Sequence, residues 1–348
     1  MTEGADLPMA TGVASPRDPA SPPENKPRRR GLSVVLIIVR YLLITAVVAF
    51  AVWYFVRIWG DMQVAIQEMQ PWRLAASFFV LLIGMALNVL SWTTILRGLG
   101  HPVPVVRGAQ IMLVGQLGKY VPGSVWAYLA QMELGRQHGV ARARVLVTSL
   151  YAVGIGVVCS LLLGAVALPH IASGHPELLW LFALLPIGLV CLHPAVMTWL
   201  ANLALRIFRR PPLEHRVQLK TIAVAVAWCL ASYLAYGAHL WLLSGEGVEI
   251  SNVGLMSAAI GLGFTAGLLA FVLPSGVGVR EAVLIGLMGA AMTTAEASAV
   301  ALVSRGMFTA GDLLMAGTAA LAATFMHRRL HREDVRTAEY ADVAAERP

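Results

Sequence analysis

Long apolar runs dominate this chain, separated by short polar links and flanked by two polar tails. The runs Leu32–Trp59, Leu74–Leu96, Val145–Leu168, Leu178–Leu200, Thr221–Leu243 and Ala297–Phe325 each read as one membrane-crossing helix. Each supplies the roughly 20 apolar residues that a hydrocarbon core of about 30 Å demands. In the first, Arg40 can snorkel toward one interface, while Trp53, Tyr54 and Trp59 form an aromatic belt at the other. Residues 1–30 lack any apolar period and are proline-rich, ending in the basic cluster Lys26 and Arg28–Arg30, which reads as a disordered tail. No short apolar stretch with a small-residue cleavage site stands near the start, so no signal peptide is expected. Residues 31–326 form the expected membrane domain, and 327–348 a second polar tail.

Two apolar regions are interrupted. Val105–Met132 contains Gly-Gln-Leu-Gly-Lys-Tyr-Val-Pro-Gly-Ser-Val-Trp, from Gly115 to Trp126, and Val253–Ala291 contains Leu-Pro-Ser-Gly-Val-Gly-Val-Arg-Glu-Ala, from Leu273 to Ala282. In the first region the arms on either side of the break are about 12 residues, roughly 18 Å as helix, which is half a membrane. Irregular backbone at membrane depth is tolerated only where protein buries it or a wet cavity meets it. Both regions are therefore predicted to be re-entrant helical hairpins. The expected fold is all-α and polytopic, with about six full spans plus two re-entrant hairpins, or eight spans in all if the hairpins cross the membrane.

Charge placement tests this count. With the hairpins making no net crossing and the basic tail inside, the inner segments carry Arg97, Arg107 and Lys119, then Arg136, Arg142 and Arg144, then Arg206–Lys220, then Arg328, Arg329 and Arg332. Outer segments carry Arg57 and Arg73. That is the positive-inside distribution, with both termini cytoplasmic in a plasma membrane. The order span, hairpin, span then occurs twice, the second copy starting three crossings later and so inverted. Aligning Pro122 on Pro274 also matches Gly115 with Gly267, Leu117 with Leu269 and Val125 with Val277. Inverted repeats whose broken helices meet near the midplane are a plan of secondary transporters.

Composition agrees: of 348 residues, 58% are hydrophobic and 13% charged, against roughly 25% charged in soluble domains. The net charge of +7 sits in loops and tails, which suits an anionic membrane surface and not nucleic acid. Cys159, Cys191 and Cys229 lie in apolar runs without metal-ligand spacing and read as buried small side chains. No catalytic motif stands in the short loops, so neither an enzyme activity nor a cofactor or metal is expected.

Intramembrane charges are costly, and so are candidates for function. Arg280 and Glu281 follow the second break at the start of a half-helix, where free N–H groups and the guanidinium suit a phosphate, or else the two neutralise each other. Arg305 faces either the hairpins or Asp312, two turns later on the same face. Lys119 lies at the first tip with Pro122, Gly123 and Ser124, as Pro274, Gly276 and Gly278 lie at the second, and these backbones complete the candidate substrate site. Tyr120 and Trp126 read as packing residues. Glu133, Asn88 and His239 read as lone polar groups satisfied by neighbouring helices. His193-Pro194 kinks the fourth span, its imidazole meeting carbonyls that the proline frees.

Gly118-Lys-Tyr-Val-Pro-Gly-Ser-Val-Trp126 and Pro274-Ser-Gly-Val-Gly-Val-Arg-Glu281, followed by Arg305, resemble the transmembrane domain of lysylphosphatidylglycerol synthase/flippase proteins. His193-Pro194 fits the same resemblance, which covers roughly residues 32–326; Ser275 stands where glycine is commoner. The resemblance implies movement of a charged or glycosylated lipid between leaflets, without ATP hydrolysis and without the soluble aminoacyl-transfer domain. Membrane lipids are the expected partners. The alternatives are a small-solute secondary transporter and a non-transporting partner of an envelope-biosynthesis enzyme such as a glycosyltransferase.

Overall fold

A computed structural model of the chain describes residues 69–345 except 121–124, 175, 208, 210, 213–216, 271–275 and 277, together with the isolated positions 53, 56 and 67. For 325–345 it describes the backbone alone. The expected first span and the N-terminal tail fall almost wholly outside the described residues, as do Pro122, Gly123, Ser124 and Pro274. The described residues are helices joined by turns and short irregular links, with no strand among them.

Two long helices form the axis of the bundle: α1 (Pro71–Gly98), with proline in its first turn, and the helix Leu219–Leu243. Ser77 meets His239, Ser232 donates to the Gly84 carbonyl at 2.8 Å, and Ser91 donates to the Ala225 carbonyl at 2.8 Å. These contacts step seven residues forward along one helix and seven back along the other, so the pair is antiparallel and joined along one face. Between helices in lipid there is no hydrophobic drive, and close packing with such hydrogen bonds takes its place.

The first interrupted region is α2 (Val105–Ala109), a π-helical turn Gln110–Val114, a 3₁₀ turn Leu117–Tyr120 and, beyond the tip, α3 (Val125–Gln137). Its arms touch at Gly118, where an added Cβ would lie 2.6 Å from the Ala127 nitrogen. Next come α4 (Arg142–Gly164), α5 (Leu184–Leu192) and α6 (Pro194–Ile207), and the helix Leu219–Leu243 is α7. The second interrupted region is α8 (Val253–Leu269), a break, and α9 (Val279–Met288), followed by α10 (Thr294–Ala345). α8 is apolar on every side and mostly buried, as expected of a helix enclosed by others.

The result is an all-α, multi-pass membrane architecture. Among the described residues, five helices are long and apolar enough to cross a membrane: Pro71–Gly98, Arg142–Gly174, Leu219–Leu243, Ile250–Leu269 and Thr294–Thr324. Three details differ from the sequence expectation. The span predicted over Leu178–Leu200 is a bent pair, Pro176–Leu192 and Pro194–Ile207, turned by 84°. Proline disfavours helical backbone in the residue before it but suits the first helical position. His193 is accordingly extended (φ −61°, ψ 131°), and Pro194 opens a new helix. Its ring Nδ1 accepts from the Ala195 N–H at 3.3 Å, so the imidazole caps the new helix instead of donating to freed carbonyls.

The second difference is that α8 with its preceding turn, Ile250–Leu269, has the length of a full span, so the two helices of the second interrupted region are unequal. Thirdly, the last helix does not end near Phe325. Its backbone stays helical to Ala345, through a segment without glycine or proline.

Candidate functional site

One cavity of about 310 Å³ gathers most of the chemistry. It is lined by Lys119 and Tyr120 of the first tip, by Gly276 and Arg280 of the second, and by Arg305, Thr309 and Asp312 of α10. Residues that lie as much as 190 positions apart in the chain therefore share one space.

α10 binds each hairpin through one residue. Asp312, 6% exposed, receives the Lys119 ammonium at 2.6 Å and the Tyr120 hydroxyl at 2.6 Å on the same oxygen. Arg305, equally buried, forms an ion pair with Glu281. The two partners on α10 are seven residues, about 10 Å, apart, and Thr309, midway along Thr294–Thr324, lies between them. Of the two internal pairs that the sequence left open, neither is made as a direct contact: Arg305 meets Glu281 and not Asp312, and Arg280 makes no hydrogen bond to Glu281. Seven residues place Arg305 and Asp312 on one face but too far apart along the helix to touch, whereas each meets a tip.

Glu281 has a second duty. Its other carboxylate oxygen accepts the Gly278 N–H at 2.7 Å, closing the first turn of α9. The half-helix N-terminus is therefore partly satisfied by its own side chain, contrary to the expectation of free N–H groups. Gly276 has φ 66°, and a Cβ there would lie 2.6 Å from the Gly267 Cα, so the returning chain passes directly over α8.

Arg280 is different from the other charges. It is 7% exposed, and its guanidinium lies 4.2 Å from the Phe264 ring centroid and 4.5 Å from that of Phe308. No described residue accepts a hydrogen bond from it. The two rings offset part of the cost of burying the cation, by about 2 kcal/mol in a desolvated setting, but leave the N–H donors unused at the cavity. Counting Lys119, Arg280 and Arg305 against Glu281 and Asp312 leaves one positive charge uncompensated.

Other expectations fare variously. Tyr120 lines the site and holds Asp312, so it is more than packing. Asn88 lines the cavity too. Glu133 is held at the loop end of α3 by Arg136 of its own helix at 2.6 Å and by Arg142, the first residue of the neighbouring α4, at 2.5 Å. His239 is satisfied as expected, by Ser77 at 2.6 Å and Ser304 at 3.0 Å. Phe264 and Phe308 gave no sequence signal, being apolar residues in apolar helices. Gln116 and Gln131 do carry one, as amides inside otherwise apolar half-helices.

The family model described as the lysylphosphatidylglycerol synthase TM region matches residues 37–331. The chain belongs to that family. The match is to the membrane region of the family and not to a catalytic domain, and among the described residues no three His, Cys, Asp or Glu side chains are placed to hold a metal ion. No curated protein is significantly similar to the chain in sequence. Membership carries the flippase-like character of the family, and the multi-span helical architecture is consistent with lipid translocation.

Proposed function

We propose that this chain moves an anionic or glycosylated phospholipid between leaflets, with the headgroup in the cavity and the acyl chains left in the bilayer. The observation that carries the reading is Arg280, a buried guanidinium at a helix break that lines the cavity and gives no hydrogen bond to any described residue. A phosphate is the natural occupant of such a fork. The cavity, at about 310 Å³, is at the low end of the roughly 300–1,000 Å³ of ligand pockets, which suits a headgroup and not a whole lipid. Its wall includes Leu268, an exposed leucine, and an apolar, accessible wall favours a lipid over a small solute.

In this reading Lys119, Arg280, Glu281 and Arg305, with the backbone at Pro122, Gly123, Ser124, Pro274, Gly276 and Gly278, form the substrate site of a plasma-membrane protein with both termini cytoplasmic. Both interrupted regions act as re-entrant hairpins of an inverted repeat. Helix pairing supports that plan: α4 packs on α8 of the second hairpin, and α10 packs on α2 and its π-helical turn in the first. α1 and α7, the leading spans of the two units, pack on each other. Rocking one unit against the other would exchange the Lys119–Asp312 and Glu281–Arg305 contacts as alternating gates.

The test is reconstitution of the full chain into liposomes, following leaflet exchange of labelled anionic phospholipids. The wild type is expected to accelerate exchange, and Arg280→Ala to slow it by at least about tenfold, the worth of a charge-assisted hydrogen bond. Exchange no faster than in protein-free vesicles across the panel would end the translocase reading. Full rates in both Arg280→Ala and Arg305→Ala would show that the site is elsewhere.

A further inference from the structure

The cavity has a second, uncharged lining that the phosphate reading leaves unused. α1 contributes Trp92, the π-helical arm contributes Gln116, α3 contributes Tyr128 and Gln131, and α4 contributes Ser149. Gln131 is 6% exposed, and its Oε1 is bonded to the Ser149 hydroxyl, which in turn receives the Trp92 indole N–H at 3.2 Å. That chain orients the carboxamide and leaves its NH₂ without an acceptor among the described residues. Gln116 likewise has no hydrogen-bond partner among them. Gln131 is buried and Gln116 half-buried, and a carboxamide shielded from water is costly to leave unpaired. Each offers donors and an acceptor in one plane, matching hydroxyl groups, which both donate and accept.

Charge narrows the class further. Asp312 is the one acid among the described lining residues, and Lys119 and Tyr120 already occupy it. Glu281 is occupied by Arg305 and the Gly278 N–H. An ammonium-bearing headgroup would therefore meet three cations and no available carboxylate.

Resting on the translocase reading for the cavity's role, we propose that the headgroup it takes is a monoanionic phosphodiester bearing an uncharged polyhydroxylated group. The phosphate is held by Arg280, and the hydroxyls by Gln131 and Gln116. Such chemistry comes from a glycosyl phosphodiester on a polyprenyl chain or from a glycerophospholipid with a polyol headgroup. An aminoacylated headgroup is disfavoured at this site, although the family takes its name from an enzyme that makes one.

The full chain in nanodiscs is titrated with four lipids while thermal unfolding is followed. They are a polyprenyl phosphosugar, phosphatidylglycerol, phosphatidylmethanol as a monoanion without hydroxyls, and lysylphosphatidylglycerol. At least one of the first two is expected to bind more tightly than phosphatidylmethanol, and whichever does so identifies the source. Lysylphosphatidylglycerol is expected to bind most weakly. Gln131→Ala should reduce the preference over phosphatidylmethanol by roughly threefold to tenfold while leaving phosphatidylmethanol binding unchanged. Should that variant fail to fold, Gln116→Ala, which removes no hydrogen bond among the described residues, takes its place with the same expectation.

Equal affinity for phosphatidylmethanol and both polyol lipids would overturn the proposal, and so would tightest binding of the lysyl lipid or absence of any binding. Parallel exchange assays separate the two readings. Binding with the expected preference but no exchange sinks the translocase and keeps the headgroup assignment. Exchange without polyol preference does the reverse.

Discussion

Neutralising Asp312 offers a quantitative test of how the first hairpin is held. In the wild type one carboxylate oxygen lies 2.6 Å from the Lys119 ammonium and 2.6 Å from the Tyr120 hydroxyl. Breaking a fully buried pair by removing one partner costs about 3–5 kcal/mol. The Lys119 side chain keeps 28% of its exposure and the Asp312 side chain only 7%, so the two deletions are unequal. Asp312→Asn strands a cation that water still reaches, while its amide oxygen goes on accepting from Tyr120; about 2 kcal/mol is expected. Lys119→Met strands a buried carboxylate, and about 3 kcal/mol is expected. The double variant leaves neither charge and should lose only about 2 kcal/mol, which makes the coupling energy about 3 kcal/mol. Equilibrium unfolding of the four proteins in mixed micelles, followed by helicity, measures each value. A double variant as unstable as the two single losses combined, with coupling below about 0.5 kcal/mol, would refute the pair.

Two further outcomes follow from geometry. Gly276→Ala should cost more stability than Gly278→Ala, because both sites have positive φ but only at Gly276 would a Cβ meet backbone, at 2.6 Å from Gly267. The conformation alone costs about 1–2 kcal/mol, so equal losses in thermal unfolding would contradict the close crossing. At the loop end of α3, beyond the membrane-crossing helices, Arg136 chiefly, with Arg142, holds the Glu133 carboxyl down at about 2 from its ordinary 4.5. A lowered folded-state pKa stabilises above the unfolded value and is lost as pH falls toward the folded one. The stability advantage of wild type over Glu133→Gln should therefore be constant above pH 5 and fade between about 4.5 and about 2, by under 1 kcal/mol because the group is partly solvated. An advantage independent of pH in that window would rule the ion pair out.

Much of the architecture was legible because a membrane imposes a length and a polarity on each crossing. α1, α4, α7 and the membrane part of α10 follow directly from runs of about 20 apolar residues. The glycine and proline stretches at residues 115–126 and 273–282 announced interrupted helices, and Lys119, Arg280, Glu281, Arg305 and Asp312, charges within apolar regions, announced chemistry, since charge in such surroundings has to be compensated. The 84° turn at His193-Pro194 was legible only as a kink. Proline specifies where a helix can restart, but the packing of α5 and α6 against their neighbours sets the angle.

What the chain's order of residues could not decide was partnership. Arg280 and Glu281 are adjacent, and Arg305 and Asp312 share a helix face, so local reasoning left pairing with the neighbour open for each. The tertiary structure pairs Arg305 with Glu281 and Asp312 with Lys119, because residues beside the two chain breaks reach α10 at levels about 10 Å apart. Phe264 and Phe308, featureless in sequence, become the walls that hold Arg280. Composition and periodicity determined that charges would lie in the membrane and roughly where. Only the packing of distant helices, which sets the distances over which Coulomb and hydrogen-bond energies act, decided which of them cancel and that Arg280 is left over.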